Sequence, residues 1–111
     1  MPKPHPKNER VKRQYLGWME EARGRSKSTA DDAAASIAAF ERSTGHRDFA
    51  SFHIEQARKF RRDILEAVNS ATGKRYARAT VTTRLKQVRA FFLWLADQPG
   101  YRSRIRRSDC D

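Results

Sequence analysis

Residues Arg78–Leu95, RATVTTRLKQVRAFFLWL, carry the reading on which the fold of this chain turns. Val81, Leu85, Val88, Phe92 and Leu95 recur at spacings of three and four, which places them on one side of an α-helix. Thr80 stands where an N-cap belongs, its hydroxyl able to accept from an unpaired N–H of the first turn. At about 100° per residue, Thr82, Lys86 and Arg89 share a flank beside the apolar stripe, with Arg78 just upstream in the same direction. The segment therefore predicts a helix over 81–97 that buries one side and turns Thr, Lys and Arg outward. Such a flank suits the phosphates and base edges of a DNA groove, and equally serves to keep an amphipathic helix in solution. Arg84 falls near the stripe and is expected along a packing surface, its stem buried and its head group at the edge. Arg61 has a similar position in the preceding helix.

Outward from this segment the charge is uneven. The chain has 111 residues, 24 Lys and Arg against 13 Asp and Glu, and a net charge of +11. Residues 1–50 hold ten basic and seven acidic side chains, residues 51–111 fourteen and six. Within residues 74–107 ten basic residues face Asp97 alone. This concentration around the last helix favours a polyanion, through long-range attraction and release of condensed counterions. RNA or an anionic membrane could answer the same charge, but the apolar stripes are needed for a core. No apolar run approaches the ~20 residues that span a bilayer. The basic N-terminus lacks the apolar segment of a signal peptide. One cysteine, Cys110, offers neither a disulfide nor a zinc set, so a cytoplasmic setting is expected.

Three further helices complete an all-α bundle. Asn8 is the expected N-cap of a helix over 8–23 with Val11, Tyr15, Trp18, Met19 and Ala22 inward. Ser28 or Thr29 opens a second, which buries Ala33, Ile37 and Phe40 and stops at Thr44-Gly45. Phe49 and Phe52 read as core plugs under a turn. A third helix over 53–68 buries Ile54, Ala57, Phe60, Ile64, Leu65 and Val68. Residues 69–78 form a polar, Gly-containing loop. No stretch alternates as a strand does. Residues 1–7 read as a disordered basic tail, 8–101 as the helical domain, and 102–111 as a basic linker; from residue 101 onward only Tyr101 and Ile105 are there to bury.

The chain offers no catalytic set. His5, His46 and His53 are scattered, and no phosphate-binding loop, nucleophile elbow or paired-cysteine motif occurs. Asp31 and Asp32 fit the start of a helix better than a metal, and no cofactor is expected.

The order of these features resembles the N-terminal core-binding domain of the tyrosine recombinases, the phage-integrase family, over about residues 11–105. The resemblance lies in Tyr15-Leu16 with Trp18-Met19, in Ser28-Thr29 opening the second helix, in Phe40, and in the segment DFASFHIEQARKF. It is strongest in Ala79-Thr80-Val81 followed by Leu85, Val88-Arg89, Phe91-Phe92 and Trp94-Leu95. It implies a SAM-like helical fold that forms half of a C-shaped clamp on crossover-site duplex DNA. A separate C-terminal domain would carry the catalytic arginines, lysine, histidine and tyrosine; Tyr15, Tyr76 and Tyr101 fall outside any such motif, so this fragment is not itself an enzyme. Other recombinase protomers would be met through that missing domain, and the fragment alone would be monomeric. Arg78, Thr82, Lys86 and Arg89 are expected on phosphates or base edges, Lys74 and Arg75 on the backbone, with Thr80 and Thr83 completing the set. Two other readings stand beside this one. A protein-interaction module would expose an apolar patch at Leu93 and Trp94, and an independent helix-turn-helix regulator would join two helices by a short turn.

Overall fold

A computed structural model describes residues 5–69 and 72–106. Its elements are α1 (Pro6–Glu21), α2 (Lys27–Thr44), a single 3-10 turn (Phe49–Ser51), α3 (Ile54–Glu66), β1 (Val68–Asn69), β2 (Lys74–Arg75) and α4 (Arg78–Leu95). The all-α architecture of four helices is as the periodicity requires. α2 and α4 each pack on all three of the other helices, and the aromatic core is centred on α4.

The reason lies in two adjacent rings. Phe91 and Phe92 are both fully buried, and between them they organise the aromatic core. Phe92 stacks on Phe52 at 3.9 Å between ring centroids and meets Phe40 at 5.1 Å and Phe49 at 5.6 Å. Phe91 takes Phe49 and Tyr15 edge-on, both at 5.1 Å. Phe49 and Phe52 are thus the core plugs that the sequence suggested. Phe91 lies outside the expected stripe because helices cover α4 on two sides, which widens its buried arc to include Phe91 with Val81, Val88, Phe92 and Leu95. Trp94 turns towards α1 and packs on Tyr15 at 5.2 Å.

Several boundaries differ from expectation, each for a local reason. α1 begins at Pro6, not after Asn8. Proline at the first helical position gives up an N–H that has no partner there and brings a preset φ. Residues 5–7 therefore belong to the fold, while 1–4 lie outside the described residues. Asn8 is fully buried inside the first turn. α2 is capped by Ser26, whose hydroxyl accepts from the Thr29 N–H at 3.1 Å, so the helix starts ahead of Ser28 and Thr29. Its end is as read: Gly45 takes the left-handed conformation at φ 71°, which a side chain would resist. α3 stops at Glu66 because Ala67 turns extended, and Val68–Asn69 then pair antiparallel with Lys74–Arg75. The polar loop is thus closed by a two-rung ladder, with Gly73 at φ 69°. Leu65, assigned to the core stripe, is 40% exposed, since the neighbouring helices cover only the arc of Phe60 and Ile64.

α4 also begins early, at Arg78. Ala77 is its N-cap, with no side-chain bond, and Thr80 sits in the first turn. At the other end the chain continues in turns through residues 98–105, tied by Tyr101 N–H to Gln98 O and Ile105 N–H to Tyr101 O. Tyr101 and Ile105 are buried, so this part of the expected linker is packed on the domain; residues 107–111 lie outside the described residues. Burial raises the Tyr101 hydroxyl above its ordinary value, reinforced by Asp48 and opposed by Arg10.

A polar cluster joins α1 to α2. Asn8 donates to Arg47 O at 2.7 Å and accepts from Phe49 N–H at 3.0 Å. Glu41, buried on α2, is ion-paired with Lys12, which also meets Glu9 at 2.7 Å. Burial alone would lower the Lys12 ammonium, yet its bonds to Glu41 and Glu9 prevail and hold it above the usual lysine range.

Candidate nucleic-acid interface

The outer side of α4 is defined by what its inner side buries. With Val81, Val88, Phe92 and Leu95 in the core, Arg78, Thr82, Lys86 and Arg89 are left exposed. They recur at i, i+4, i+8 and i+11, and so trace a ridge of about 16 Å along the helix. No acidic residue occurs anywhere in α4. Lys74 and Arg75, also exposed, form β2, which leads into α4 through Tyr76 and Ala77 alone.

The two remaining expected residues face elsewhere. Thr80 is half-buried, and with Thr83 it lines a groove towards α2 in which Asp32 also lies. Thr83 is exposed, but its hydroxyl donates back to Ala79 O at 3.0 Å. Asp32 and Arg84 both line that groove, so it offers an anion no net positive charge, whereas the ridge carries cations and no acid. Arg84 is half-buried, as its place near the stripe foretold. It stands over the Tyr76 ring at 5.5 Å and reaches Ser36 at 3.5 Å, so it faces α2.

Sequence reasoning missed two groups of cations. Arg23 and Arg25, from the end of α1 and its connection to α2, line a groove with Lys86. Arg23 stands 5.7 Å above the Trp18 ring. Tyr15 borders the same groove; burial raises its hydroxyl above its ordinary value, while Arg23 and Arg25 pull it the other way. On the opposite side of α4, Arg58 and Arg61 rim a groove with Arg89 over Phe52, Phe60 and Phe92; Arg61, expected along a packing surface, is instead exposed. The only advance sign of the first group was the basic linker after α1. The second could not be separated from ordinary solubilising charge. Glu41 is withdrawn into the α1–α2 core.

The apolar patch that a protein-interaction module would show at Leu93 and Trp94 is half-buried; among the described residues the large exposed apolar side chains are Trp18 and Leu65. Among the described residues, no group of three or more His, Cys, Asp or Glu could hold a metal ion, and no helix is long and apolar enough to cross a membrane. No protein-family model matches the chain, and neither the curated proteins nor the solved structures include one that matches it.

Proposed function

We propose that this chain binds duplex DNA as a helical domain of the core-binding type found in tyrosine recombinases, forming one half of a clamp on a crossover site. α4 lies against the major groove. Arg78, Thr82, Lys86 and Arg89 reach phosphates or base edges from the ridge, and Lys74 and Arg75 hold the backbone beside its N-terminus. Arginine offers a fork that fits guanine or phosphate, while lysine acts as a point charge. Phosphate contacts supply most of the affinity and a few side chains supply any sequence preference. On this reading the domain is monomeric alone and needs no cofactor. Strand cleavage belongs to a separate domain, through which other protomers are met.

The observation that carries the reading is the acid-free α4, wholly committed to the core on one side and exposing a line of Arg, Thr, Lys and Arg on the other. The hairpin between α3 and α4 weighs against a helix-turn-helix regulator, which needs a short turn there. The test is duplex binding by fluorescence anisotropy across a range of salt. With one phosphate neutralised by each of the five cations, log K falls with log salt at a slope of about −4.5. A flat salt dependence, or no binding at low salt, would sink the proposal.

A further inference from the structure

We propose that the groove between α1, the α1–α2 connection and α4 is a nucleotide site, taking one base that is not paired to a complement together with its adjoining phosphate. The cavity measures about 330 Å³, at the lower end of clefts that hold small ligands. Three kinds of group converge on it, and together they select the ligand.

The first is an aromatic wall. Trp18 is 36% exposed, the more exposed of the two tryptophans, and is braced from within the fold. Tyr15 stacks against it at 5.8 Å and 26°, and Trp94 stands at 6.1 Å. A rigid, solvent-facing indole offers a flat surface to another flat group. The second is charge. Arg23, Arg25 and Lys86 line the groove, and no carboxylate does. Arg23 now lies over the Trp18 ring, where it can yield the stacking position to a base and turn to the phosphate. The third is a hydrogen-bonding edge. Gln87 accepts from the Ser36 hydroxyl through its amide oxygen, which leaves its NH₂ group to donate to a base. Met19, Ala33 and Ala90 give an apolar floor.

A simple inorganic anion would use the cations and leave the indole idle. An acidic peptide would do much the same. A nucleotide uses all three, because stacking on an aromatic side chain beside cationic groups is how proteins hold unpaired bases. Two sources share this chemistry: a free mononucleotide, and a nucleotide extruded from a DNA strand. Lys86 also stands on the α4 ridge, so the second source rests on the duplex reading above, whereas the first does not.

The test follows the indole N–H signals of the ¹⁵N-labelled full chain during titration with deoxyadenosine monophosphate and, separately, inorganic phosphate. Affinity is then compared for a paired duplex and the same duplex carrying one extra unpaired adenine. The nucleotide is expected to move the Trp18 signal where phosphate does not. The unpaired adenine is expected to tighten binding roughly ten-fold, the size of one base–aromatic stack. Trp18→Leu, which removes the indole reporter, should abolish the gain from the unpaired adenine and the nucleotide response read on the Arg23 and Arg25 backbone amides. Arg25→Ala, in an exposed connection and hence safe for the fold, should weaken the nucleotide response. A nucleotide response with no preference for the unpaired adenine supports the site and assigns it to a free nucleotide. A nucleotide response without duplex binding sinks the duplex reading and leaves the site standing. Equal responses to phosphate and nucleotide, no response to either, or a preference for the unpaired adenine that survives Trp18→Leu would each overturn the site.

Discussion

α3 and α4 each carry four basic residues, yet they present different surfaces. α3 (IEQARKFRRDILE) sets Arg58, Lys59, Arg61 and Arg62 among Glu55, Asp63 and Glu66. Arg58 is ion-paired with Glu55, and Lys59 with Asp63 at 2.7 Å. The Lys59 ammonium, helped by the Ser43 hydroxyl, holds the Asp63 carboxyl below its ordinary range. α4 carries Arg78, Arg84, Lys86 and Arg89 with no acid at all. Exposed pairs three or four residues apart add little stability. Their effect here is on the field, since a cation already facing a carboxylate has less to offer a phosphate. Counting Lys and Arg would rank the two helices equally, whereas their acids distinguish them.

The comparison is broken most severely from the inside. α4 can present its ridge only while its opposite side holds the core. Phe92→Ala should cost about 3–5 kcal/mol, as deletion of a buried aromatic does. Leu65→Ala, on the exposed side of α3, should stay within about 0.5 kcal/mol. Urea unfolding followed by circular dichroism measures both, and similar losses would mean that Phe92 does not anchor the core. Next in size is charge reversal. Lys86→Glu with Arg89→Glu should weaken duplex binding by on the order of 100-fold and flatten its salt slope by about 2. Lys59→Glu on α3 should change affinity by no more than about three-fold, because that lysine already faces Asp63. Equal losses from the two helices would locate the interface elsewhere. The finest test removes the masking acid. Glu55→Gln frees Arg58 beside the groove that Arg89 borders, and should steepen the salt slope by no more than about 1. A larger gain would make α3 a principal DNA surface.

What could be read in advance was whatever depends on neighbours in the chain. The α4 stripe, the Gly45 stop and the all-helical class follow from spacing and backbone freedom. So does the exposure of Arg78, Thr82, Lys86 and Arg89, because burying one side of a helix exposes the other. Asn8 was misread as a cap because its true partners, Arg47 O and Phe49 N–H, lie 39 and 41 residues away. Nothing near Glu41 in sequence distinguishes it from the surface acids of its helix, since Lys12 approaches it from α1. Thr80 and Thr83 share a helix with the ridge but line a groove towards α2 in which Asp32 and Arg84 offset each other. Tyr101 and Ile105 looked too few to fold, yet each finds cover on a core already built.

The Asn8–Lys12–Glu41 cluster sets the registration of one helix on another. Apolar stripes tolerate slippage, because a ring moved along a greasy surface still meets carbon. A slide of α1 by one turn, about 5.4 Å, would strand the Glu41 carboxylate inside the protein with no cation. The same slide would leave Asn8 unable to bridge Arg47 and Phe49. The pin sits at one end of α1 and the consequence is felt at the other, where Trp18, Arg23 and Arg25 stand across from Lys86. A buried charge pair thus acts as a locating pin: it fixes which residues stand opposite one another across a groove whose walls it never touches.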